Sequence, residues 1–247
     1  NRVMKTVMFL LFKFLVNILL IIFNIILKNF QYNIYMVKII DNSELEVTKL
    51  KNSIKFNIKK SKFQPFYKTI KDILGVKNNT ITARNIIGFN DYIKSGVFLY
   101  KHADQMFLNL SMQIKKLEKE NLGMLYLDPT DIYYIEINEN QFYFLLLKTD
   151  KLQVIKDQKL EIVTPMKEKN GMFFSPELKT LKTFPVNISY KTCYYSLAML
   201  IVNSLKPVAN ADIELKDHIE SLYKTRLYWA LERCLHKSYE NRTLLYI

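Results

Sequence analysis

Histidine and cysteine side chains can ligate metals or act as bases and nucleophiles, and this chain of 247 residues has three histidines and two cysteines. His102, His218 and His236 are far apart and lack the His-Glu-x-x-His spacing of a zinc hydrolase, so we expect them on helix surfaces. Cys193 and Cys234 provide neither a disulfide framework nor zinc-ligand spacing, which favours two small buried residues in a reducing compartment. The sequence also lacks a Gly-x-Ser-x-Gly elbow and a Walker loop, so it gives no support to these hydrolase classes.

Basic residues could bind anions, because 36 Lys and Arg against 23 Asp and Glu give the chain a formal charge of +13. They are dense between Lys49 and Lys68, where Phe63, Phe66 and Tyr67 are interleaved with lysines as in some nucleic-acid patches. The same pattern is typical of a solvated basic face, which is the interpretation that we favour. We therefore do not expect a nucleic-acid partner.

An apolar content of 49% excludes wholesale disorder and allows a sizeable core. The clearest periodicity predicts an amphipathic helix from Tyr100 to Glu120, with spacings of three, four and three between its apolar residues Phe107, Leu110, Ile114 and Leu117.

Weaker patterns predict the remaining elements. Apolar alternation indicates short strands through Ile54 to Ile58 and from Ile81 to Ile87, and a hairpin with its turn at residues 138–140. An irregular, polar stretch follows the hairpin. Two largely buried helices are predicted after it, over residues 192–205 and 222–235, and we expect Trp229 in the core.

Residues 7–27 form an apolar run close to the roughly 20 residues that a membrane-spanning helix requires. The run predicts a membrane anchor. However, the first 35 residues contain no Asp, Glu, Gly, Pro or Ala, as translated leader sequence of an A/T-rich genome would. Because the chain begins at Asn1 and balanced composition begins at Met36, we slightly favour an upstream extension over an anchor.

Four sequence motifs in residues 89–247 resemble motifs of the C-terminal lobe of the protein kinase family and follow in the same order. Phe173 to Glu177 is similar to the Ala-Pro-Glu element that closes the activation segment. Ser189 to Ala198 resembles the start of the central buried helix, and Leu231 to Leu235 with Asn241-Arg242 resembles the Arg-bearing end of the lobe. The sequences of these motifs are similar to those of divergent kinase-like proteins of giant DNA viruses.

The resemblance implies an α+β, protein kinase-like fold with a mainly helical C-lobe and a reduced N-terminal β-containing region. It divides the chain into an apolar segment (1–35), a degenerate N-lobe (36–88) and a C-lobe (89–247). It also implies structural roles for Ser175, Pro176, Glu177 and Arg242, with a buried ion pair between the last two clamping the activation segment onto the lobe.

The catalytic part of the kinase pattern is altered. Aligning Pro129 with the catalytic-loop proline makes Met124 to Asp131 the catalytic loop, and Tyr126 then replaces the catalytic Asp. A phenol is protonated at neutral pH and cannot replace a carboxylate as partner of the nucleophile's proton. Asp128 replaces the Lys that steadies the phosphate, whereas Asp131 replaces a metal-binding Asn and could still bind magnesium.

Other kinase elements are missing from the sequence. No Asp-Phe-Gly follows the predicted hairpin, where Asp150 is the nearest carboxylate. No two glycines are close enough for a glycine-rich phosphate loop, since they stand at 75, 88, 96, 123 and 171. The phosphate-binding lysine cannot be assigned among Lys49, Lys51, Lys55, Lys59 and Lys60.

The structural motifs of the kinase pattern are retained, whereas its catalytic motifs are altered. This combination predicts a catalytically inactive kinase-like binding or scaffold module. We expect a viral protein of the host cytoplasm that binds a protein partner and needs no cofactor. One alternative is an active, atypical Ser/Thr kinase that uses ATP and magnesium with Asp128, Asp131 or Asp150 in altered geometry. A second is a basic adaptor anchored to a membrane through residues 7–27, with only ancestral kinase resemblance.

Overall fold

The computed structural model describes residues 18–26, 37–41, 45–51, 53–58, 64–96, 98–166, 171–205 and 219–245. These residues form a mixed α+β structure with small antiparallel sheets, which confirms the fold class at that level. Residues 18–26 are helical (α1), and the rest of the predicted anchor lies outside the described residues. Within the described ranges, no helix is both long and apolar enough to cross a bilayer.

Four antiparallel strands form the first sheet, in the order β1 (Val37–Asp41), β2 (Leu45–Lys49), β3 (Ser53–Ile58) and β4 (Thr80–Thr82). Strand β3 confirms the alternation that predicted it. The basic stretch after β3 contains helix α2 (Gln64–Leu74), which the sequence analysis missed. Its residues Phe66, Tyr67 and Ile70 share one buried face, a spacing typical of a helix rather than of a solvated basic segment.

A second sheet of three antiparallel strands has the order β5-β7-β8, with β5 at Asn85–Gly88, β7 at Ile132–Asn138 and β8 at Gln141–Leu146. Strands β7 and β8 confirm the predicted hairpin. The single strand predicted from Ile81 to Ile87 is wrong, because the chain leaves the first sheet after Thr82 and enters the second at Asn85.

Helix α3 (Phe89–Lys94) leads into helix α4 (Tyr100–Lys119), which confirms the predicted amphipathic helix. Two buried polar residues of α4 bind the backbone of β8. The Asn109 Oδ1 atom accepts from the Phe144 N–H at 3.1 Å, and the Gln113 amide pairs with both backbone groups of Leu146 at 2.9 and 3.0 Å. These bonds satisfy the β8 edge that faces the helix.

The stretch after the hairpin, predicted as irregular, contains three short strands and one turn of helix: β9 (Leu152–Val154), β10 (Lys159–Ile162), helix α5 (Pro176–Lys179) and β11 (Val186–Ser189). Strand β6 (Leu122–Met124) comes before the hairpin. Strand β6 pairs with β9, and β10 pairs with β11. The tight turn between β9 and β10 places Asp157 and Gln158 at φ of 49° and 60°. An Asp-Gln pair is a weak signal for that left-handed backbone, which more often carries Asn-Gly or Asp-Gly.

Helix α6 (Thr192–Leu205) begins and ends where the sequence predicts. Helix α7 is shorter than predicted and spans Arg226–Cys234, because the Thr225 hydroxyl caps it by accepting from the Tyr228 N–H. The prediction for Trp229 is wrong, since 49% of this residue is exposed. The buried residues of α7 are Leu227, Tyr228, Ala230, Leu231 and Cys234. Four of them, at positions 227, 230, 231 and 234, form one face, and Trp229 lies on the opposite side of the helix.

One large apolar cluster contains residues from both sides of residue 88, the predicted boundary between the two lobes. It includes Phe66 and Tyr67 of α2, Phe107 of α4 and Leu197 of α6. A smaller cluster lies between the segment after β6 and helix α5. It consists of Leu125, Leu160, Ile162, Phe174, Leu178 and Ile188.

Candidate functional site

The segment from Met124 to Asp131, which carries the predicted catalytic-loop positions, is fixed by helix α6. Leu127 is fully buried, and its N–H donates to the Ser196 Oγ atom at 2.8 Å. The same hydroxyl donates back to the Leu127 carbonyl at 3.2 Å. This reciprocal pair holds the backbone in the middle of the segment, so the side chains at 126 and 128 start from a defined position.

Tyr126 lies in an aromatic and cationic environment. Its ring packs against that of Phe174, with centroids 4.5 Å apart and planes inclined by 63°. The Lys151 ammonium lies 4.5 Å from the centroid of the Tyr126 ring. Tyr126 therefore connects the segment after β6 with the residue that precedes Ser175.

Asp131 is the buried carboxylate of this region, with only 4% of the residue exposed. Lys151 donates a short hydrogen bond to its Oδ2 atom, and the Lys148 Nζ atom lies 3.7 Å from Oδ1. Burial raises the pKa of Asp131, and the hydrogen bond from Lys151 acts against that rise. Two ammonium groups thus face one carboxylate in a partly dry environment.

The other two candidate carboxylates take no part in the ion pairs of Asp131, although, in addition to burial, the charge of Asp128 contributes to raising the pKa of Asp131. Asp128 caps a single 3-10 turn at Pro129–Asp131, where its Oδ1 atom accepts from the N–H and hydroxyl of Thr130 at 2.8 and 2.6 Å. Asp150 is exposed in the turn after β8. Across the described part of the chain, no three His, Cys, Asp or Glu residues form a group that could hold a metal ion.

Glu177 and Arg242 meet as the resemblance implies. Arg242 is fully buried, and its two terminal nitrogens donate to the two carboxylate oxygens of Glu177 at 2.5 and 2.9 Å. Burial alone would raise the pKa of Glu177, but the hydrogen bonds and charge of Arg242 hold that pKa below its ordinary value. Nearby, the hydroxyls of Ser175 and Thr192 lie 2.5 Å apart and join α5 to the start of α6. Pro176 opens α5.

Three of the five candidate phosphate-binding lysines belong to the first sheet or adjoin it, and two lie outside the described residues. The Lys49 ammonium donates to the Asn85 side chain at 3.3 Å, and Lys51 and Lys55 are exposed around β3. Lys59 and Lys60 lie outside the described residues. Two other lysines, Lys148 and Lys151, reach Asp131. They were not predicted, because no motif marks them and only the carboxylates near that loop were candidates.

Histidine and cysteine form no reactive centre in the described residues. The expectation of a surface position is wrong for His102, which is 5% exposed and accepts a hydrogen bond at Nδ1 from the Leu99 N–H as α4 begins. His236 is exposed as predicted but lies beyond the end of α7 and not on a helix, and His218 lies outside the described residues. Cys193 and Cys234 are free and buried as predicted, and burial raises the pKa of Cys234 to about 12. Such thiols are poor nucleophiles.

Comparisons with known proteins add no assignment. Neither the scan against protein-family models nor the search of curated proteins found a match to this chain.

Proposed function

We propose that this protein is a catalytically inactive, protein kinase-like binding module, and the surroundings of Asp131 carry the proposal. In the kinase alignment Asp131 stands at a magnesium-binding position. Its carboxylate already interacts with the ammonium groups of Lys151 and Lys148, so a magnesium ion would have to displace cations that belong to the chain. Magnesium is the ion that positions ATP phosphates in this family.

The position of the catalytic base supports the same conclusion. Tyr126 offers a phenol instead of a carboxylate, and its ring is packed between Phe174 and the Lys151 ammonium. A substrate hydroxyl would therefore meet neither an anionic base nor a metal-bound phosphate. Asp128, the second altered position, uses its carboxylate to cap the turn at Pro129–Asp131.

The structural part of the kinase pattern has its own physical support. Helix α6 stands where the resemblance expects the central buried helix, and 11 of its 14 residues are buried. The Glu177–Arg242 pair and the Ser175–Thr192 contact attach α5 to the helical part of the molecule. A fold that keeps these contacts without phosphate chemistry is suited to binding, and a viral origin, the host cytoplasm and a protein partner are part of this proposal.

Thermal unfolding with nucleotide tests the proposal. We expect millimolar ATP with magnesium to leave the unfolding temperature of the purified chain unchanged, because a ligand stabilises only what it binds. A matched variant, Lys148→Gln/Lys151→Gln, removes both ammonium groups and tests whether they are what excludes the cation. Asp131→Ala is the control for any effect at this carboxylate.

A stabilisation of the unaltered chain by several degrees, lost in Asp131→Ala, would overturn the proposal in favour of the active atypical kinase. Transfer of labelled phosphate from ATP to a peptide, lost in the same variant, would do so as well.

A further inference from the structure

Helix α7 and the turn before it present an exposed aromatic and basic surface, formed by Tyr223, Lys224, Arg226, Trp229 and Arg233 and called here the α7 patch. About half of Trp229 and half of Tyr223 is exposed, at 49% and 50%. Arg226, Trp229 and Arg233 recur at spacings of three and four, so they form one solvent-facing stripe along the helix. Removal of such large side chains from water is favourable, and their exposure together indicates a binding surface.

The aromatic part of the α7 patch is held in place before any partner arrives. The Trp229 ring packs edge-on against the Tyr228 ring, with centroids 5.1 Å apart, and Tyr223 packs edge-on against Tyr228 at 5.3 Å. Tyr228 is nearly buried, and its N–H donates to the capping hydroxyl of Thr225 at 3.1 Å. A partner therefore meets aromatic rings with little rotamer freedom left to lose.

The charges beside Trp229 are mainly positive. In the described residues no carboxylate lies within the 4.0 Å salt-bridge distance of Arg226 or Arg233. Asp104 on α4 is close enough to Arg226 for the two charges to interact. Lys224 adds a cation 5.8 Å from the Tyr223 ring centroid. Glu232 lies about 60° around the helix from Trp229 on the side away from the arginines, by the 100° turn per residue.

Glu220 is the other acidic neighbour, close enough to influence the Tyr228 hydroxyl. The acidic groups therefore adjoin the patch, while the stripe itself carries two arginines and an indole. Trp, Tyr and Arg are the residue types most enriched at the energetic centres of protein interfaces.

We infer that the α7 patch binds an extended, acidic segment of a partner protein, with an apolar side chain against Trp229 and carboxylates on Arg226 and Arg233. The two arginines are seven residues apart, which on a helix corresponds to about 10 Å. In a segment of polyproline II conformation, carboxylates three residues apart lie on the same side at about the same separation, because this extended form has three residues per turn and a rise of about 3.1 Å per residue. The inference rests on α7 and the turn before it, and does not depend on the kinase resemblance.

Trp229 is the only tryptophan of the chain, so its emission reports directly on this surface. The probe is a blocked synthetic peptide, Ser-Glu-Phe-Ala-Glu-Ser, titrated into the full chain. We expect a saturable shift of the emission to shorter wavelength as the indole is covered. Arg226→Glu/Arg233→Glu should weaken binding at least about tenfold, because it replaces attraction by repulsion.

The matched control is Lys68→Glu/Lys77→Glu, which makes the same change in net charge at two exposed lysines elsewhere. It should bind like the unaltered chain. Circular dichroism checks that each variant is folded, and Arg226→Gln/Arg233→Gln replaces the charge reversal if that variant fails this check.

Three results would overturn the inference. The first is an unchanged emission at millimolar peptide. The second is equal weakening in the patch and control variants, or equal binding of a peptide with Lys in place of Glu. The third is covering of Trp229 by phosphatidylserine vesicles or oligo-deoxythymidine at concentrations where the acidic peptide has no effect, which would assign the surface to a membrane or to nucleic acid.

Discussion

The guanidinium of Arg242 donates two hydrogen bonds to the carboxylate of Glu177, at 2.5 Å from Nη1 to Oε1 and 2.9 Å from Nη2 to Oε2. Two further N–H groups donate to the carbonyl oxygens of His236 at 2.8 Å and Lys237 at 3.0 Å. The guanidinium carbon also lies 5.1 Å from the centroid of the Tyr195 ring. Arg242 thus joins α5, α6 and the segment after α7 at one buried point.

Removing either partner of this pair should destabilise the fold strongly. Glu177→Ala leaves a buried guanidinium without its carboxylate, at a cost of about 3 kcal/mol, and Arg242→Ala should cost at least as much because it also frees two carbonyls. The double variant should cost less than the sum, since the second change removes an already unpaired charge. Urea unfolding of the four proteins gives this cycle. Additive losses near zero would contradict a buried pair.

The same pair should contribute to acid sensitivity. Because the folded-state pKa of Glu177 lies below its ordinary value, its contribution is complete above the unfolded-state pKa of about 4.5 and is lost as the pH falls through the folded-state value. The stability advantage of the unaltered chain over Glu177→Gln should therefore shrink on acidification. Urea unfolding from neutral pH to about pH 3 measures it. An advantage that stays constant over this range would contradict the ion pair as its source.

Ser196 should matter more than its size indicates. Ser196→Ala leaves the buried N–H of Leu127 without its acceptor, which we expect to cost about 1–3 kcal/mol in unfolding free energy. Ser204→Ala is the matched control on the same helix, because its hydroxyl only donates back to the Leu200 carbonyl at 2.7 Å. Equal effects of the two changes would show that Ser196 does not hold the segment after β6.

Long periodic elements were predictable from the sequence, and short ones were not. Helices α4 and α6 and the β7–β8 hairpin have enough apolar repeats to fix their type and nearly their ends. Strands of three or four residues, such as β9 and β10, carry too few alternations to stand out. The burial of Trp229 was predicted wrongly because a wide apolar arc was assumed where the core takes only one face of α7.

The candidate site divides in the same way. Glu177 and Arg242 were predicted as a pair because the motifs that carry them resemble those of a structural ion pair in the protein kinase family. Lys148 and Lys151 belong to no recognisable motif. Their contact with Asp131 depends on the turn after β8 folding back onto the single 3-10 turn that ends at Asp131. That meeting of two loops is a tertiary event, which neither periodicity nor spacing along the chain reports.

Lys151→Met tests what the ammonium groups do for Asp131. Removing Lys151 takes away the hydrogen bond that opposes the burial effect, so the pKa of Asp131 should rise further. At neutral pH the variant must either keep a buried carboxylate with only Lys148 nearby or bind a proton. We expect a loss of about 3 kcal/mol in unfolding free energy, measured by urea unfolding.

The pH dependence separates this charge effect from lost packing on Tyr126. A folded-state pKa raised above the unfolded value favours the fold at low pH, so the cost of Lys151→Met should decrease as the pH falls towards the unfolded-state pKa of about 3.8. Asp131→Asn should remove most of the cost when added to Lys151→Met, whereas Lys156→Met, at an exposed lysine in the turn between β9 and β10, should cost little at any pH. If the cost of Lys151→Met is the same at every pH and persists when Asp131→Asn is added, the Lys151 side chain acts through its contact with the Tyr126 ring, and the ion pair with Asp131 does not stabilise the fold.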